Sequence, residues 1–191
     1  MKSRFIVGFV LALTWFLTGC STTAKNRPPV TFGSTNDLSV SIALLQPSHG
    51  KYRVNISTND HFHVVISNNS SRAQRVIMEE CSSGHGALSF EATDSLGKKY
   101  RFQRRGADWT DNGLVYWILK PGEHYVREVC FGQIYQGEHS WLGLPENHRG
   151  YLSVEMKAVF ELNIEKDDEG RDLWHGRIES EPIVCVLYKA H

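Results

Sequence analysis

The sequence predicts an all-β protein, an antiparallel β-sandwich of about seven to nine strands. In several stretches apolar residues recur at every second position, which is the period of a half-buried strand. Turn sequences rich in Gly, Pro, Asn and Asp separate these stretches. No stretch shows the 3.6-residue period of an amphipathic helix.

The first strands are predicted in the N-terminal half of the chain. Residues 38–44 alternate Leu, Val, Ile and Leu with small or polar residues. Phe62, Val64 and Ile66 alternate in the same way, and the Ser-Asn-Asn-Ser-Ser run at 67–71 predicts a turn after them. Residues 75–80 are expected to form the strand that returns from this turn.

Two further turns divide the middle of the chain. Residues 87–93 and 99–103 are predicted to form a hairpin, because Gly97 in the Asp-Ser-Leu-Gly turn can supply a positive φ. Strands at 114–119 and 125–131 flank a second turn with the sequence Lys-Pro-Gly-Glu.

The last two strands are the longest. Between residues 152 and 164, seven apolar residues fall on alternate positions and predict one buried face. Residues 177–188 form the final predicted strand, in which Pro182 is expected at a bulge or an edge position, because proline cannot donate to a sheet ladder.

The first twenty residues differ from the rest. Lys2 and Arg4 precede an apolar run at 5–16, and small residues follow, which is the pattern of a secretory signal. The run is too short for a membrane span of about 20 residues. The string Leu-Thr-Gly-Cys that ends at Cys20 resembles the lipobox of bacterial lipoproteins.

This resemblance implies where in the cell the protein is located. In that family Cys20 becomes the first residue and carries acyl chains, and two or more chains anchor a protein stably to a membrane. Ser21 in place of an aspartate implies the outer membrane, with the protein facing the periplasm. The expected organisation is therefore a signal peptide at 1–19, a lipidated cysteine and flexible tether at 20–37, and a β-sandwich domain at 38–191.

Composition excludes several other classes. The chain has 191 residues, and 21 basic residues balance 21 acidic ones. Nucleic-acid binders usually carry a basic excess, so no nucleic-acid partner is expected. A hydrophobic fraction of 41% with no net charge also argues against a disordered chain. Removal of residues 1–19 takes away two basic residues and no acidic one, which leaves the mature chain slightly acidic.

Several short motifs carry a second resemblance. They are the run at 62–69, the pair Asp94 and Gly97, the Leu-Lys-Pro-Gly-Glu turn at 119–123, and the closing Trp-His-Gly-Arg-Ile-Glu-Ser at 174–180. These segments resemble secreted bacterial immunoglobulin-like domains, and their order is also similar to the intracellular proteinase inhibitor family. The resemblance implies an immunoglobulin-like sandwich that mediates binding or assembly. It transfers no functional residue.

Three cysteines remain after Cys20. The periplasm is oxidising, so one disulfide is expected, with Cys81 and Cys130 as the favoured pair. Three buried thiols are the alternative, since Cys185 lies on an apolar face and a buried thiol behaves as a small hydrophobe. No motif supports a catalytic cysteine.

The strongest metal-like pattern is His61-x-His63. Residues i and i+2 of a strand share a face, so both imidazoles are expected to point away from Phe62 and could hold Zn²⁺ or Cu²⁺. Two ligands do not make a site, and two exposed histidines are the favoured interpretation. No metal and no other cofactor is expected.

Two segments are candidate binding loops. Trp, Tyr and Arg are enriched at binding hot spots, and long loops in compact domains are often functional. The candidate binding residues are Arg104, Arg105 and Trp109 in the first segment, and Tyr135 and Trp141 in the second. Trp141 packing onto the core is an equal alternative, whereas Trp117 and Trp174 are expected to pack onto the core because they lie within or beside strands.

The sequence therefore favours a lipid-anchored outer-membrane protein that binds another envelope or periplasmic protein without catalysis. Envelope assembly, inhibition and immunity to a toxin are candidate roles. A metal-handling lipoprotein that uses His61 and His63 is the first alternative. An envelope hydrolase with a non-standard site is the second, although no catalytic residue can be named from the motifs that are present.

Overall fold

The computed structural model describes residues 31–35, 37–44, 52–57, 60–79, 81–106, 113–132, 141–145, 150–167 and 169–189. These residues form strands, turns and extended segments, and none of them lies in a helix. The strands are β1 (Thr31–Thr35), β2 (Leu38–Ala43), β3 (Tyr52–Asn55), β4 (His61–Asn68), β5 (Gln74–Ile77), β6 (Leu88–Asp94), β7 (Lys99–Arg104), β8 (Tyr116–Leu119), β9 (His124–Cys130), β10 (Trp141–Leu142), β11 (Tyr151–Leu162), β12 (Gly176–Glu179) and β13 (Ile183–Tyr188).

Three sheets contain these strands. A four-stranded sheet has the order β1-β2-β4-β9, and a larger sheet has the order β10-β7-β6-β11-β13-β3, with β12 also paired to β11. Strands β5 and β8 form a separate two-stranded ribbon. The all-β prediction is confirmed, and the described residues contain thirteen strands where about seven to nine were expected.

One strand pair departs from the antiparallel prediction. Strand β3 pairs with β13 in parallel, with Tyr52 opposite Cys185. Every other pair of named strands is antiparallel. No tight turn connects β3 to β13, so the turn chemistry that identifies hairpins in the sequence does not constrain their relative direction.

The chain leaves the four-stranded sheet after β4. The predicted return strand forms as β5, but it pairs with β8, while β4 lies between β2 and β9. The side chain of Asn68 links the segment between β4 and β5 to the end of β8. Its Nδ2 donates to the backbone oxygens of Arg72 and Leu119, at 2.8 Å each. The chain therefore passes from the four-stranded sheet to the ribbon at the Asn-Asn-Ser sequence.

The two predicted turns around glycine are present. At the β6–β7 hairpin, the N–H of Gly97 donates to the backbone oxygen of Asp94, and Gly97 has a φ of 81°. Gly122 has a φ of 76° in the Lys-Pro-Gly-Glu turn. This second turn joins β8 of the ribbon to β9 of the four-stranded sheet, so it links two different sheets.

Part of the predicted tether forms a strand. Residues 31–35 were assigned to a flexible segment, but their backbone forms β1, which pairs with β2 in register from Thr31–Ile42 to Thr35–Leu38. The period-two signal is weak here because the strand carries small polar residues and Gly33. The described strands therefore begin upstream of Leu38.

The predicted final strand is split by a bulge. Strand β12 pairs with one end of β11 through Val159 and Glu179, and β13 pairs with the other end through Met156 and Ile183. Between these pairs, three residues that include Pro182 oppose two residues of β11, which is the count of a β-bulge. This agrees with the predicted position of Pro182.

The four-stranded and larger sheets pack on one apolar core, as in a β-sandwich. Phe62 of β4 meets Phe90 of β6 with ring centroids 5.5 Å apart. Phe131, which follows β9, lies 5.2 to 5.4 Å from the rings of Phe62, Phe90, Phe102 and Trp141. Offset and edge-to-face pairs of this kind add to the stabilisation from burial. The cluster fixes the two sheets against each other.

Candidate functional site

The structure places the predicted binding residues in different environments. Trp141 is 8% exposed and packs against Phe90 and Phe131, so it belongs to the core. The side chain of Arg104 is 6% exposed in an ion pair, and Arg105 is exposed. Trp109 and Tyr135 lie outside the described residues. Arg104 and Trp141 are therefore buried and do not form an exposed binding surface, whereas binding through Arg105, Trp109 and Tyr135 stays a prediction.

Arg104 takes part in a buried ionic cluster. Its Nη1 lies 3.3 Å from Oε2 of Glu79, and Nε of Arg127 lies 3.3 Å from the same oxygen. Glu79 follows β5, Arg104 ends β7 and Arg127 lies on β9, so the cluster joins all three sheets. A buried carboxylate needs such partners, because removal from water penalises an isolated charge.

A surface that the sequence analysis missed lies on the outer face of the larger sheet. Tyr151 and Val184 are each 67% exposed. The ring of Tyr151 lies 5.8 Å from that of Tyr188, its partner across the β11–β13 ladder, and the guanidinium of Arg53 lies 5.5 Å from the centroid of the Tyr151 ring. We call Arg53, Tyr151, Val184 and Tyr188 the tyrosine surface.

Neighbouring contacts hold the tyrosine surface in place. The hydroxyl of Tyr188 donates to Oδ2 of Asp60 at 3.1 Å. Burial and this hydrogen bond raise the pKa of Tyr188, so the ring stays neutral at physiological pH. All four residues of the surface lie on paired strands, and regular elements position contact residues more rigidly than loops do.

The ribbon carries a second exposed apolar region. Trp117 is 42% exposed and Ile118 is 55% exposed, while the ring of Trp117 lies 5.6 Å from that of Tyr125. The expectation that Trp117 packs onto the core is therefore wrong. The sequence Val-Tyr-Trp-Ile at 115–118 already indicates that some of these side chains are exposed, because consecutive residues of a strand cannot all face one core. Trp174 does pack inward and stacks on Phe160 at 5.7 Å.

The histidine pair lies where the strand period predicts. His61 and His63 are half-exposed on the face of β4 opposite Phe62, and they stand across the ladder from Cys130 and Glu128. Nδ1 of His61 is 3.2 Å from Oε1 of Glu128. Across the described residues, no three His, Cys, Asp or Glu side chains come together in a way that could hold a metal ion.

The predicted disulfide between Cys81 and Cys130 is not formed. Cys81, Cys130 and Cys185 all stand as thiols in the described part of the chain. Cys81 is held in the turn after β5, where its thiol donates to the backbone oxygen of Met78 at 3.1 Å, whereas Cys130 faces His61 on the β4–β9 ladder. The two thiols therefore have different neighbours.

The environments of two cysteines disfavour the thiolate. Burial raises the pKa of Cys185 to about 12. Burial and the nearby carboxylates of Asp60 and Glu128 also raise the pKa of Cys130. Because the thiolate is the reactive form, both residues are poorly suited to act as nucleophiles.

Five charged side chains pair with one another on the outer face of the larger sheet. Arg177 reaches three carboxylates, those of Glu91, Glu161 and Glu179, at 2.7 to 3.0 Å, and Lys157 contacts Glu91 and Glu179. These contacts lower the pKa of Glu91 and of Glu179 and raise that of Lys157. Most of the charge is neutralised within the group, which distinguishes it from the tyrosine surface.

Comparison of the chain with protein-family models, with curated proteins and with solved structures found no match. Among the described residues, no helix is long and apolar enough to cross a membrane.

Proposed function

We propose that this protein is a lipid-anchored envelope protein whose immunoglobulin-like β-sandwich binds another envelope or periplasmic protein without catalysis. The tyrosine surface carries this proposal, because it combines large exposed apolar area with Tyr and Arg, the residue types that dominate binding hot spots. The partner presents apolar side chains to Tyr151 and Val184 and a carboxylate to Arg53.

The order of the surface supports a role in recognition. The contacts from Arg53 to Tyr151 and from Tyr188 to Asp60 hold the aromatic rings before a partner arrives. A partner that meets fixed side chains loses less conformational entropy on binding, which leaves more of the contact energy available for affinity. Exposed apolar side chains that share one face of a sheet are typical of interfaces, and Tyr151, Tyr188 and Val184 share such a face of the β11–β13 ladder.

The anchor is proposed from the lipobox-like string that ends at Cys20. Replacement of its thiol removes the acylation site, so Cys20→Ala should no longer carry a fatty acid. Metabolic labelling with a fatty-acid analogue provides the measurement. An unlabelled wild-type protein, or a Cys20→Ala variant that is labelled as strongly as the wild type, would contradict lipid anchoring.

Photo-crosslinking tests the binding role in intact envelopes. A photoreactive phenylalanine at Tyr151 should give a discrete adduct, which Val184→Glu should abolish. The matched control is the same photoreactive residue at Leu96, which is exposed in the β6–β7 turn. If the Tyr151 position gives no adduct beyond those seen from Leu96, or if Val184→Glu leaves the adduct unchanged, this surface is not the interface.

A further inference from the structure

Strand β8 is an edge strand of the two-stranded ribbon. It pairs with β5 on one side, with Trp117 opposite Val76, and no strand of the described residues pairs with its other side. The N–H of Met78 donates to the backbone oxygen of Val115 at 2.7 Å, so the backbone of Val115 faces β5. Because this orientation alternates along a strand, Tyr116 and Ile118 direct their backbone N–H and C=O groups away from β5.

Among the described residues, the outer edge of β8 lacks charge, proline and a bulge, three of the features that usually prevent strands from pairing. Natural edge strands are shielded by charged side chains, proline, bulges or very short length. Of the other edge strands, β9 carries Arg127 and Glu128, β3 carries Arg53, and β10 has two residues. Strand β1 is also uncharged, but it consists mainly of small polar residues. The four residues of β8 are Tyr, Trp, Ile and Leu, all large and uncharged. Such an edge is a template for another strand.

We propose that β8 pairs with β8 of a second copy of this chain, antiparallel and with Trp117 at the two-fold axis. The pairing would place each Ile118 opposite Tyr116 of the other copy and would join the two ribbons into one four-stranded sheet. The exposed edge groups of Tyr116 and Ile118 then gain partners, as backbone groups removed from water require.

Charge and polarity favour a second copy as the occupant. A two-fold axis at Trp117 brings together only uncharged residues of the two β8 strands. In the described part of the ribbon the charged strand residue is Arg75, which stands opposite Ile118 on β5. In the joined sheet Arg75 would therefore share its row with Ile118 and with Tyr116 and Ile77 of the other copy. The guanidinium of Arg171 also lies over the Tyr116 ring, 5.1 Å from its centroid, but Arg171 belongs to neither β5 nor β8. No like charges are therefore cross-strand partners in the joined sheet, and such pairs are what would penalise this arrangement.

The contact is small, which determines how strong the pairing can be. A strand of four residues buries less than the roughly 1,200 Å² typical of stable interfaces, so pairing in dilute solution is weak. Copies anchored to one membrane meet at a much higher effective concentration. This step depends on the proposed anchor, whereas the strand pairing itself depends on the geometry of β8.

Disulfide trapping in intact envelopes tests the pairing. Opposed residues whose backbone groups point away from each other have Cα atoms about 4.5 Å apart, within disulfide range. Trp117→Cys should therefore give a covalent dimer on mild oxidation, well above the background of the wild-type chain, which retains Cys81, Cys130 and Cys185. The matched control, Leu96→Cys, places a thiol at a more exposed site, in the β6–β7 turn of a different sheet.

A second variant set retains Trp117. The double variant Tyr116→Cys/Ile118→Cys should also form the covalent dimer, because each position opposes the other across the axis. Adding Ile118→Pro to Trp117→Cys removes an outward N–H without affecting the β5 ladder, so it should abolish the dimer, while Ile118→Thr should retain it. Limited proteolysis checks that each variant folds.

Two outcomes would overturn the proposal. One is a dimer yield from both cysteine sets that does not exceed that of Leu96→Cys. The other is a dimer that survives Ile118→Pro. Photo-crosslinking from Tyr151 reports on the tyrosine surface, which lies in a different sheet, so failure of the strand pairing and failure of the proposed binding role are distinguishable.

Discussion

Ala158 and Ser180 form two hydrogen bonds with each other across the bulge between β12 and β13. The backbone N–H of Ser180 donates to the oxygen of Ala158 at 2.9 Å, and the N–H of Ala158 donates to Oγ of Ser180 at 2.9 Å. The hydroxyl thus replaces a backbone acceptor that the extra residue has displaced. Because the hydroxyl serves as this acceptor, the residues that face the core can change from even-numbered positions, such as Ile178, to odd-numbered positions, such as Ile183. No buried amide is left unpaired by the change.

Removal of this hydroxyl should destabilise the fold. In Ser180→Ala the N–H of Ala158 stays buried and loses its acceptor, which costs about 1–3 kcal/mol. Urea unfolding monitored by fluorescence measures the change in the free energy of unfolding. Ser153→Ala, at an exposed position of β11, is the matched control and should change stability little. Equal effects from the two variants would show that the bulge does not depend on the hydroxyl.

Gly84 permits a close backbone approach that a side chain would block. A Cβ atom at this position would lie 1.9 Å from the backbone oxygen of Met78, whereas one at Gly86 would meet nothing within 4 Å. Gly84→Ala should therefore lower the thermal unfolding midpoint by several degrees or prevent folding, because backbone atoms must move apart. Gly86→Ala should leave the midpoint unchanged or slightly raised. A Gly84→Ala protein as stable as Gly86→Ala would show that the turn repacks freely.

The ionic cluster around Glu79 should be strongly coupled. Glu79→Ala leaves the buried guanidinium of Arg104 without this carboxylate, which costs about 3–5 kcal/mol. A double-mutant cycle measures the coupling. The double variant Glu79→Leu/Arg104→Met should lose less stability than the sum of the losses in Glu79→Leu and in Arg104→Met. Arg72→Ala breaks an exposed ion pair with Asp37 and should cost about 1 kcal/mol or less. Additive effects at Glu79 and Arg104 would contradict the coupling.

Stability should fall in acid because of Glu91 and Glu179. For Glu91, burial opposes ionisation, but hydrogen bonds from Arg177 and Lys157 outweigh it and lower the pKa. A hydrogen bond from Lys157 is the main cause of the lowered pKa of Glu179. A carboxyl whose pKa is lower when folded stabilises the protein above its unfolded pKa of about 4.3, and this contribution is lost as the pH falls through the folded value.

The measurement is the thermal midpoint between pH 6 and pH 3, a range chosen to span the carboxyl pKa values of about 4. The wild-type midpoint should drop more steeply with acid than that of Arg177→Gln, because the variant has already lost one partner of each carboxylate. Added salt should reduce the difference, since these side chains are partly exposed and their interactions are screened. Parallel curves for the two proteins would show that this group does not contribute to acid sensitivity.

The three described cysteines should react as thiols. In the unfolded, unreduced protein, alkylation followed by mass spectrometry should modify Cys81, Cys130 and Cys185. In the native protein Cys185 should resist alkylation, because it is buried with a pKa of about 12. Asp60→Asn should speed the alkylation of Cys130, since Asp60 raises the pKa of that thiol. A disulfide-linked peptide containing Cys81 and Cys130 would refute the thiol assignment.

Local signals predicted much of the secondary structure. The alternation of β2, β4 and β11 and the Asp-Ser-Leu-Gly turn of the β6–β7 hairpin lie where the sequence places them. In each case the information lies in the residues themselves, as a period of two or as a glycine in a turn. Pro182 likewise marked the bulge, because it cannot continue a ladder.

Placement of the aromatic residues could not be read in the same way. Trp141 follows a segment with no strand pattern, yet it fills the space beside Phe90 and Phe131. Trp117 lies within a strand, yet it is exposed because β8 belongs to a two-stranded ribbon, in which it pairs with β5 alone. Burial of a large side chain depends on what the rest of the chain brings opposite it, and spacing along the sequence does not contain that information.

The sequence alone determined the all-β class, the main strands and the turns, because these follow from the backbone preferences of neighbouring residues. The tertiary structure alone decided which strands pair. It placed β3 parallel to β13, brought Glu79 between Arg104 and Arg127, and assembled the tyrosine surface from β3, β11 and β13. These arrangements depend on contacts between residues far apart in the chain, whose energies are set by burial and by partners that no local pattern specifies.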